Sequence, residues 1–183
     1  MPHRILARGL ALALVLALAA IGTAVAAKAP KKAPNQATVL IKGGLQVKIN
    51  SFAGETFRFA PGATAIRSGG QVTVKNRTEA PHTLSLVKRS QLPRNARQVE
   101  SCSPENAKSV CAQLFVAHGA TEDDQPPSKP LVDVGDKGFD RAGDSIVINP
   151  NATVRFKITA KKGSTLHYLC GIHPWMQGSF NVR

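Results

Sequence analysis

The feature that most constrains the fold is a series of short runs in which apolar and polar residues alternate. In Gln71–Asn76, Val72 and Val74 share one face, and Thr153–Thr159 repeats the same pattern. Gly, Pro and Asn separate these runs, and many short strands at such spacing predict an antiparallel sandwich or barrel. The candidate strands are Thr38–Ile41, Leu45–Phe52, Thr56–Phe59, Gln71–Asn76, His82–Val87, Ser145–Ile148, Thr153–Thr159, Thr165–Cys170 and Ser179–Val182.

The alternating pattern breaks over residues 88–143, which we call the insertion. Ser103 and Pro104 are residue types typical of a helix cap and first turn, and apolar residues then recur at helical spacing as far as Phe115. Residues 121–144 are rich in Pro, Gly and Asp, which predicts an irregular loop. The sequence therefore predicts one all-β domain, residues 38–183, whose insertion carries a short helix.

The N-terminal residues have the pattern of an export signal. A head with Arg4 and Arg8 precedes the apolar run Gly9–Ala27, which ends in small residues, so residues 1–27 are predicted to be a signal peptide. Residues 28–37, rich in Lys, Ala and Pro, then form a flexible tether. An uncleaved signal anchor is the alternative, because the apolar run could just span a bilayer. Either reading places the domain outside the cytoplasm, in a periplasmic or extracellular location.

The chain is strongly basic. It has 24 Lys and Arg against 11 Asp and Glu, a formal charge of +13, and loss of the signal would leave about +11. Such a charge favours acidic partners or an anionic membrane surface, although a merely solvated basic surface remains an alternative. Only 5% of residues are aromatic and they do not interleave with Arg, which together with export argues against nucleic-acid binding.

Three cysteines in an oxidising compartment require an explanation. Cys102 and Cys111 are close in sequence and are predicted to form a disulfide, which leaves Cys170 for another role. A helix that began at Pro104 would hold the two Cα atoms about 12 Å apart, beyond disulfide reach. Two free thiols therefore remain the alternative, although outside the cytoplasm this is less favourable.

The segment Cys170-Gly-Ile-His-Pro-Trp-Met176 carries the chemistry. It places a thiolate, an imidazole and a thioether at intervals of three residues, with Pro174 stiffening the turn after His173. These donors suit copper in a trigonal site of two His and one Cys with a long axial Met. A single loop cannot surround an ion, so a second imidazole must come from elsewhere in the chain.

His82 is the best candidate for that imidazole, because it follows one alternating run and begins the next, at a strand end. The other histidines are weaker candidates. His118 lies where the insertion helix should end, a position typical of a cap. Strand alternation points His167 to the face opposite Cys170, and His3 lies in the signal.

The stretches NRTEAPHTLSL and TLHYLCGIHPWMQGSFNV together resemble the plastocyanin-like cupredoxins, most closely the amicyanins in the copper loop. The resemblance implies a cupredoxin-like Greek-key β-sandwich and one copper ion that cycles between Cu(I) and Cu(II). The implied ligands are His82, Cys170, His173 and Met176. The sequence departs from the family at Thr83, where an Asn typically ties the two ligand loops together, and in the length of the insertion.

Four protein donors leave no open coordination position, so the sequence predicts an electron carrier rather than an enzyme. The His-x-His pairs of copper oxidases are also missing. The predicted electron-transfer surface is His173, Pro174 and Trp175. The expected partner of this monomer is a redox protein, such as a cytochrome or an oxidoreductase, with an acidic face. A copper carrier or sensor that uses the same ligands remains the alternative.

Overall fold

A computed structural model of the protein describes residues 32–120 and 128–183. The predicted signal peptide, residues 1–27, and the first part of the predicted tether lie outside the described residues. The first strand begins at Gln36, so the end of the tether segment is part of the sheet. None of the helices within the described ranges has the length and apolar character needed to cross a membrane.

The described residues form twelve strands and two short helices, with a further 3-10 turn at Arg89–Gln91. In chain order the strands before the insertion are β1 Gln36–Lys42, β2 Leu45–Lys48, β3 Phe52–Glu55, β4 Arg58–Ala60, β5 Ala63–Ile66, β6 Gln71–Asn76 and β7 His82–Val87. The remaining elements are α1 Ala96–Ser101, α2 Val110–Ala117, β8 Leu131–Val132, β9 Ser145–Ile148, β10 Thr153–Lys157, β11 Thr165–Leu169 and β12 Gln177–Val182.

Two sheets form a sandwich. One has the strand order β10-β6-β1-β4 and the other the order β5-β12-β11-β7-β9-β8. The predicted all-β sandwich with a helix-containing insertion is therefore confirmed. The sequence predicted an antiparallel sandwich or barrel, and most strand pairs are antiparallel, but β1 pairs parallel with β6 and β12 pairs parallel with β5. These partners are distant in sequence, so no local pattern specifies their direction.

Side chains from both sheets meet in one core. Phe59 of β4 lies edge-on to Tyr168 of β11 with ring centres 5.0 Å apart, and Phe156 of β10 contacts Phe180 of β12. Each fully buried side chain of this kind contributes about 1.5–3 kcal/mol relative to an exposed one. The packed core thus holds the strands in fixed positions, and with them the side chains at the strand ends.

The predicted single strand Leu45–Phe52 is wrong, because a turn divides it into β2 and β3. Asn50 at the turn has φ 59°, a left-handed conformation that Asn tolerates better than most residues. The two strands pair from Leu45 with Glu55 to Lys48 with Phe52. The large apolar side chains of this β2–β3 hairpin are all exposed: Leu45, Val47, Ile49 and Phe52.

The insertion contains two helices where one was predicted. Helix α2 begins at Val110, because the Ser109 hydroxyl caps it by accepting from the Ala112 N–H at 3.0 Å. The predicted start near Pro104 is therefore wrong. Cys102 caps the end of α1 and Cys111 lies in the first turn of α2, so their Cα atoms are 5.2 Å apart and the disulfide forms.

The insertion covers one face of β7. The half-cystines pack with Leu114 of α2 against Val87 and Leu169 of the six-stranded sheet. The opposite face of β7, with Leu84 and Leu86, lies in the sandwich core. All six residues of β7 are buried as a result, which brings a helix of the insertion close to the end of β11, where Cys170 follows.

Candidate metal centre

Two neighbouring strands bring the predicted ligands together. His82 begins β7, and Cys170 follows directly after β11, which pairs antiparallel with β7 so that Leu169 lies opposite Ser85. His173 lies in the turn that leads to β12. The pairing places three predicted ligands, His82, Cys170 and His173, in one buried group, which we call the donor cluster.

The donor cluster has the dimensions of a trigonal metal site. Cys170 Sγ lies 3.8 Å from His82 Nδ1 and 3.7 Å from His173 Nδ1, and the two nitrogens are 3.1 Å apart. A point equidistant from the three atoms is about 2.1 Å from each of them. This is close to metal–ligand bond lengths known from zinc sites, ~2.0 Å to nitrogen and ~2.3 Å to sulfur. Two imidazoles and one thiolate in this arrangement suit one copper ion.

A neutral hydrogen-bond chain orients His82. Asn76 Nδ2 donates to the carbonyls of Ala80 and Asn149, which leaves Oδ1 to accept from the Thr78 hydroxyl at 2.8 Å. The Thr78 oxygen must then accept from His82 Nε2–H, 2.9 Å away. The His82 tautomer is thereby set, with the lone pair of Nδ1 directed at the donor cluster.

A charged side chain faces the second imidazole. His173 Nε2 lies 3.6 Å from Glu55 Oε2, at the end of the β2–β3 hairpin. Phe57 packs against both imidazoles, with its ring centre 4.9 Å from those of His82 and His173. Trp175 packs edge-on to His173 at 5.2 Å. The outer nitrogen of His173 is therefore turned toward a carboxylate, and its inner nitrogen toward Cys170.

Burial keeps both imidazoles neutral. Burial and, after it, the charge of His173 lower the pKa of His82 to about 4. Burial also lowers the pKa of His173, while Glu55 acts in the opposite direction. A neutral imidazole is the form that binds a metal, so near pH 7 both rings are ready to act as ligands.

The sulfur of Cys170 is fully buried and receives a backbone hydrogen bond from the Thr83 N–H at 3.3 Å. Burial raises the pKa of the Cys170 thiol. The Thr83 amide opposes that shift most, and smaller opposing contributions come from the amides of His173 and Ile172. These donors favour the thiolate, which is the form that binds copper.

Thr83 also joins the two ligand segments. Its hydroxyl oxygen accepts from the Gly171 N–H at 2.8 Å, while its own N–H donates to Cys170. A tie between the ligand loops, the role implied by resemblance for an Asn at this position, is thus made here by a Thr hydroxyl.

Met176 closes the turn from inside. It is buried, its N–H donates to the His173 carbonyl, and its carbonyl accepts from the Cys170 N–H. Its sulfur as the axial ligand stays a prediction. On the predicted electron-transfer surface, Pro174 is buried, whereas Trp175 is 41% exposed.

Sequence reasoning missed the side chains that hold the ligands, above all Asn76, Thr78 and Glu55. For Asn76 and Thr78 a usable signal existed, since a polar Asn-Arg-Thr segment ends an alternating strand just before His82. Glu55 carried no such signal, because the hairpin that presents it was interpreted as a continuous strand.

No protein-family model and no curated protein matches the chain. Among solved structures, a purple cupredoxin from Nitrosopumilus maritimus is 14% identical with a TM-score of 0.41, over 80% of this chain and 99% of its own. Auracyanin A from Chloroflexus aurantiacus is 22% identical with a TM-score of 0.39, over 81% and 99%. A reduced form of an amicyanin mutant is 14% identical with a TM-score of 0.41, over 84% and 87%.

Identities and TM-scores this low do not indicate a function. The fold is therefore described from its strand order, and the site from the side chains of the donor cluster. The chain is a two-sheet β-sandwich that carries, at one end, a His-Cys-His site suited to one copper ion.

Proposed function

We propose that the protein is a type 1 copper protein that carries single electrons between redox partners outside the cytoplasm. The observation that carries the proposal is the buried triangle of His82 Nδ1, His173 Nδ1 and Cys170 Sγ. Within residues 32–120 and 128–183 it is the one group of three or more His, Cys, Asp or Glu side chains with metal-site spacing. With Met176 as the proposed fourth donor the ion would have no open coordination position, which favours electron transfer over catalysis.

Bound copper would supply one-electron chemistry between Cu(I) and Cu(II). The protein would hold the donor atoms in one geometry for both oxidation states. Thr78 fixes the ring of His82, and Thr83 joins the Cys170 turn to β7. The Phe57 ring packs against both imidazoles and helps to exclude water. Donors held in this way limit the rearrangement that accompanies a change of charge.

The exposed apolar side chains around the copper end favour docking of a partner protein there. Trp175 packs on His173 and is exposed, and Ile172 in the same turn is also exposed. The β2–β3 hairpin, whose apolar side chains are exposed, ends at Glu55, and Glu55 faces the same imidazole. We propose a redox protein with an acidic face as the partner, because the chain has a formal charge of +13.

An exported location fits two features. The N-terminal sequence has the pattern of a signal peptide. The Cys102–Cys111 disulfide is of a kind that persists in oxidising compartments and is rare in the cytosol.

The test is a Cu(II) titration of the metal-free protein. The proposal expects one equivalent of copper to give an intense visible thiolate-to-copper absorption band that disappears in Cys170→Ser. His167→Gln, which removes a histidine outside the cluster, is the matched control and should keep the band. A colourless protein that still binds copper would contradict the proposal. If it also released the ion quickly to a chelator, the copper-carrier alternative would fit instead.

A further inference from the structure

A continuous line of buried polar groups connects the insertion to the donor cluster. His118, which ends α2, has Nε2 at 2.7 Å from Ser145 Oγ. Ser145 Oγ is 2.6 Å from Ser85 Oγ, which is 2.9 Å from Thr83 Oγ1. Thr83 Oγ1 accepts from the Gly171 N–H at 2.8 Å. Each side chain in the line is buried.

The direction of every hydrogen bond in the line follows from its His118 end. At one end, His118 Nδ1 is 2.6 Å from the Lys129 carbonyl, which can only accept, so Nδ1 carries the proton. In the tautomer with its proton on Nδ1, Nε2 is an acceptor for the Ser145 hydroxyl. At the other end, the Gly171 N–H can only donate to Thr83.

The hydroxyls between these ends must therefore all point the same way. Thr83 donates to Ser85, Ser85 donates to Ser145, and Ser145 donates to His118. Each hydroxyl in the line thus gives its single proton to the next group, and His118 receives the last one. The whole line is satisfied in one orientation only while His118 accepts at its end.

We propose that His118 is a positioning residue for the copper site, and that it acts through Ser145, Ser85 and Thr83 to keep the Thr83 hydroxyl proton directed away from the Cys170 sulfur. The line thus gives the insertion a role: it supplies the terminal acceptor. The effect on copper rests on the proposed function, whereas the hydrogen-bond line itself does not.

The consequence arises because Thr83 packs against the ligand segment. Its N–H donates to Cys170 Sγ at 3.3 Å, and its hydroxyl oxygen accepts from Gly171, the residue after Cys170. Without the acceptor at His118, the Ser145 hydroxyl would donate to Ser85, and Ser85 to Thr83. The Thr83 proton would then be free to turn to the sulfur. A hydrogen bond to the ligand sulfur tunes the potential of a blue-copper site, and it draws electron density from the thiolate.

The main test compares His118→Phe, which removes both ring nitrogens, with His118→Gln, which keeps an acceptor and a donor. In the copper-loaded protein, His118→Phe should raise the reduction potential and move the thiolate-to-copper band to shorter wavelength. His118→Gln should restore wild-type values. An unchanged potential and band in folded His118→Phe would overturn the proposal.

Two further variants keep the test decisive if His118→Phe fails to fold. Ser145→Ala interrupts the same line and should also raise the potential. Thr83→Val removes the hydroxyl that acts on the sulfur, so adding Ser145→Ala to Thr83→Val should cause no further change. An equal rise in both backgrounds would show that the effect does not pass through Thr83, which contradicts the proposal.

A copper-free readout separates failure of this inference from failure of the proposed function. The ring 15N chemical shifts of His118 in the metal-free protein should show a protonated Nδ1 and an accepting Nε2. In Thr83→Val the Gly171 amide should exchange roughly fivefold faster, the effect of losing one hydrogen bond of about 1 kcal/mol. A protonated Nε2 would refute the line of hydroxyls even in a protein that proved to be blue.

Discussion

The two imidazoles of the donor cluster are held in different ways. His82 belongs to β7, is fully buried, and has its outer nitrogen on the neutral hydroxyl of Thr78. His173 belongs to a turn, is 8% exposed, and has its outer nitrogen toward Glu55, whose side chain is 37% exposed. One ligand is part of the sandwich core, and the other lies between that core and solvent.

The difference indicates that the two sides of the site have different roles. The strand side, with its satisfied hydrogen bonds and fixed backbone, sets the geometry of the donors. The loop side, next to a partly exposed charge, adjusts the electrostatic environment. Changes near His82 should therefore alter metal affinity and stability, whereas changes near His173 should alter the reduction potential.

The largest contrast is expected when each ligand is truncated. His82→Ala and His173→Ala should both lower copper affinity by more than about 100-fold, beyond the loss of an outer-shell partner. In the metal-free protein, His82→Ala should also cost about 2–4 kcal/mol, because it leaves a cavity in the core. The cost of His173→Ala should be clearly smaller. Chelator competition measures copper affinity, and urea unfolding measures the free energy of unfolding. Equal losses of stability in the two variants would contradict the proposed difference between the ligands.

Removal of the group that orients His82 should have the next largest effect. Thr78→Val keeps the shape of the side chain but cannot accept from Nε2, so copper affinity should fall roughly 10- to 100-fold. Thr78→Ser keeps the hydroxyl and should bind copper almost as tightly as the wild type. Competition titrations give both values, and a valine variant with wild-type affinity would show that the sheet alone orients the ring.

The metal-free protein should lose stability as the pH falls. Both imidazoles have pKa values below the ordinary 6.5, His82 at about 4, so the unfolded chain binds more protons in the range between these values. The free energy of unfolding should thus be highest above pH 6.5 and decrease toward pH 4. Urea unfolding across this range measures it. His82→Gln should give a shallower decrease, and an unchanged slope would assign the effect to other groups.

The smallest effect is expected on the loop side. Glu55→Gln removes a negative charge 3.6 Å from His173 Nε2, so Cu(II) should lose some stabilisation and the reduction potential should rise modestly. Partial exposure of the carboxylate keeps the effect small and sensitive to salt. Voltammetry at two ionic strengths measures it, with Glu100→Gln in α1 as the control for net charge. If Glu55→Gln instead lowered copper affinity as much as Thr78→Val and left the reduction potential unchanged, the two sides of the site would not differ as proposed.

Much of the fold was predictable because its signals are local. Alternation in Gln71–Asn76 and Thr153–Thr159 follows directly from one buried and one outer strand face. The turn within Leu45–Phe52 was missed, since its Asn and Ser are ordinary polar residues in an alternating run. The insertion was recognised as helical, but a cap at Ser109 rather than Ser103 decided where α2 begins.

By itself, the sequence pointed to His82, Cys170 and His173, the three side chains that the structure brings together, and to Met176 as a predicted fourth donor. The spacing of the last three and the place of His82 at a strand end are features that local order can carry. Only the tertiary structure decided which groups serve those donors. Thr78, Glu55 and His118 act across strand pairing, a hairpin and an insertion, and contacts of that kind depend on register and packing between segments far apart in the chain. No periodicity within a segment encodes them.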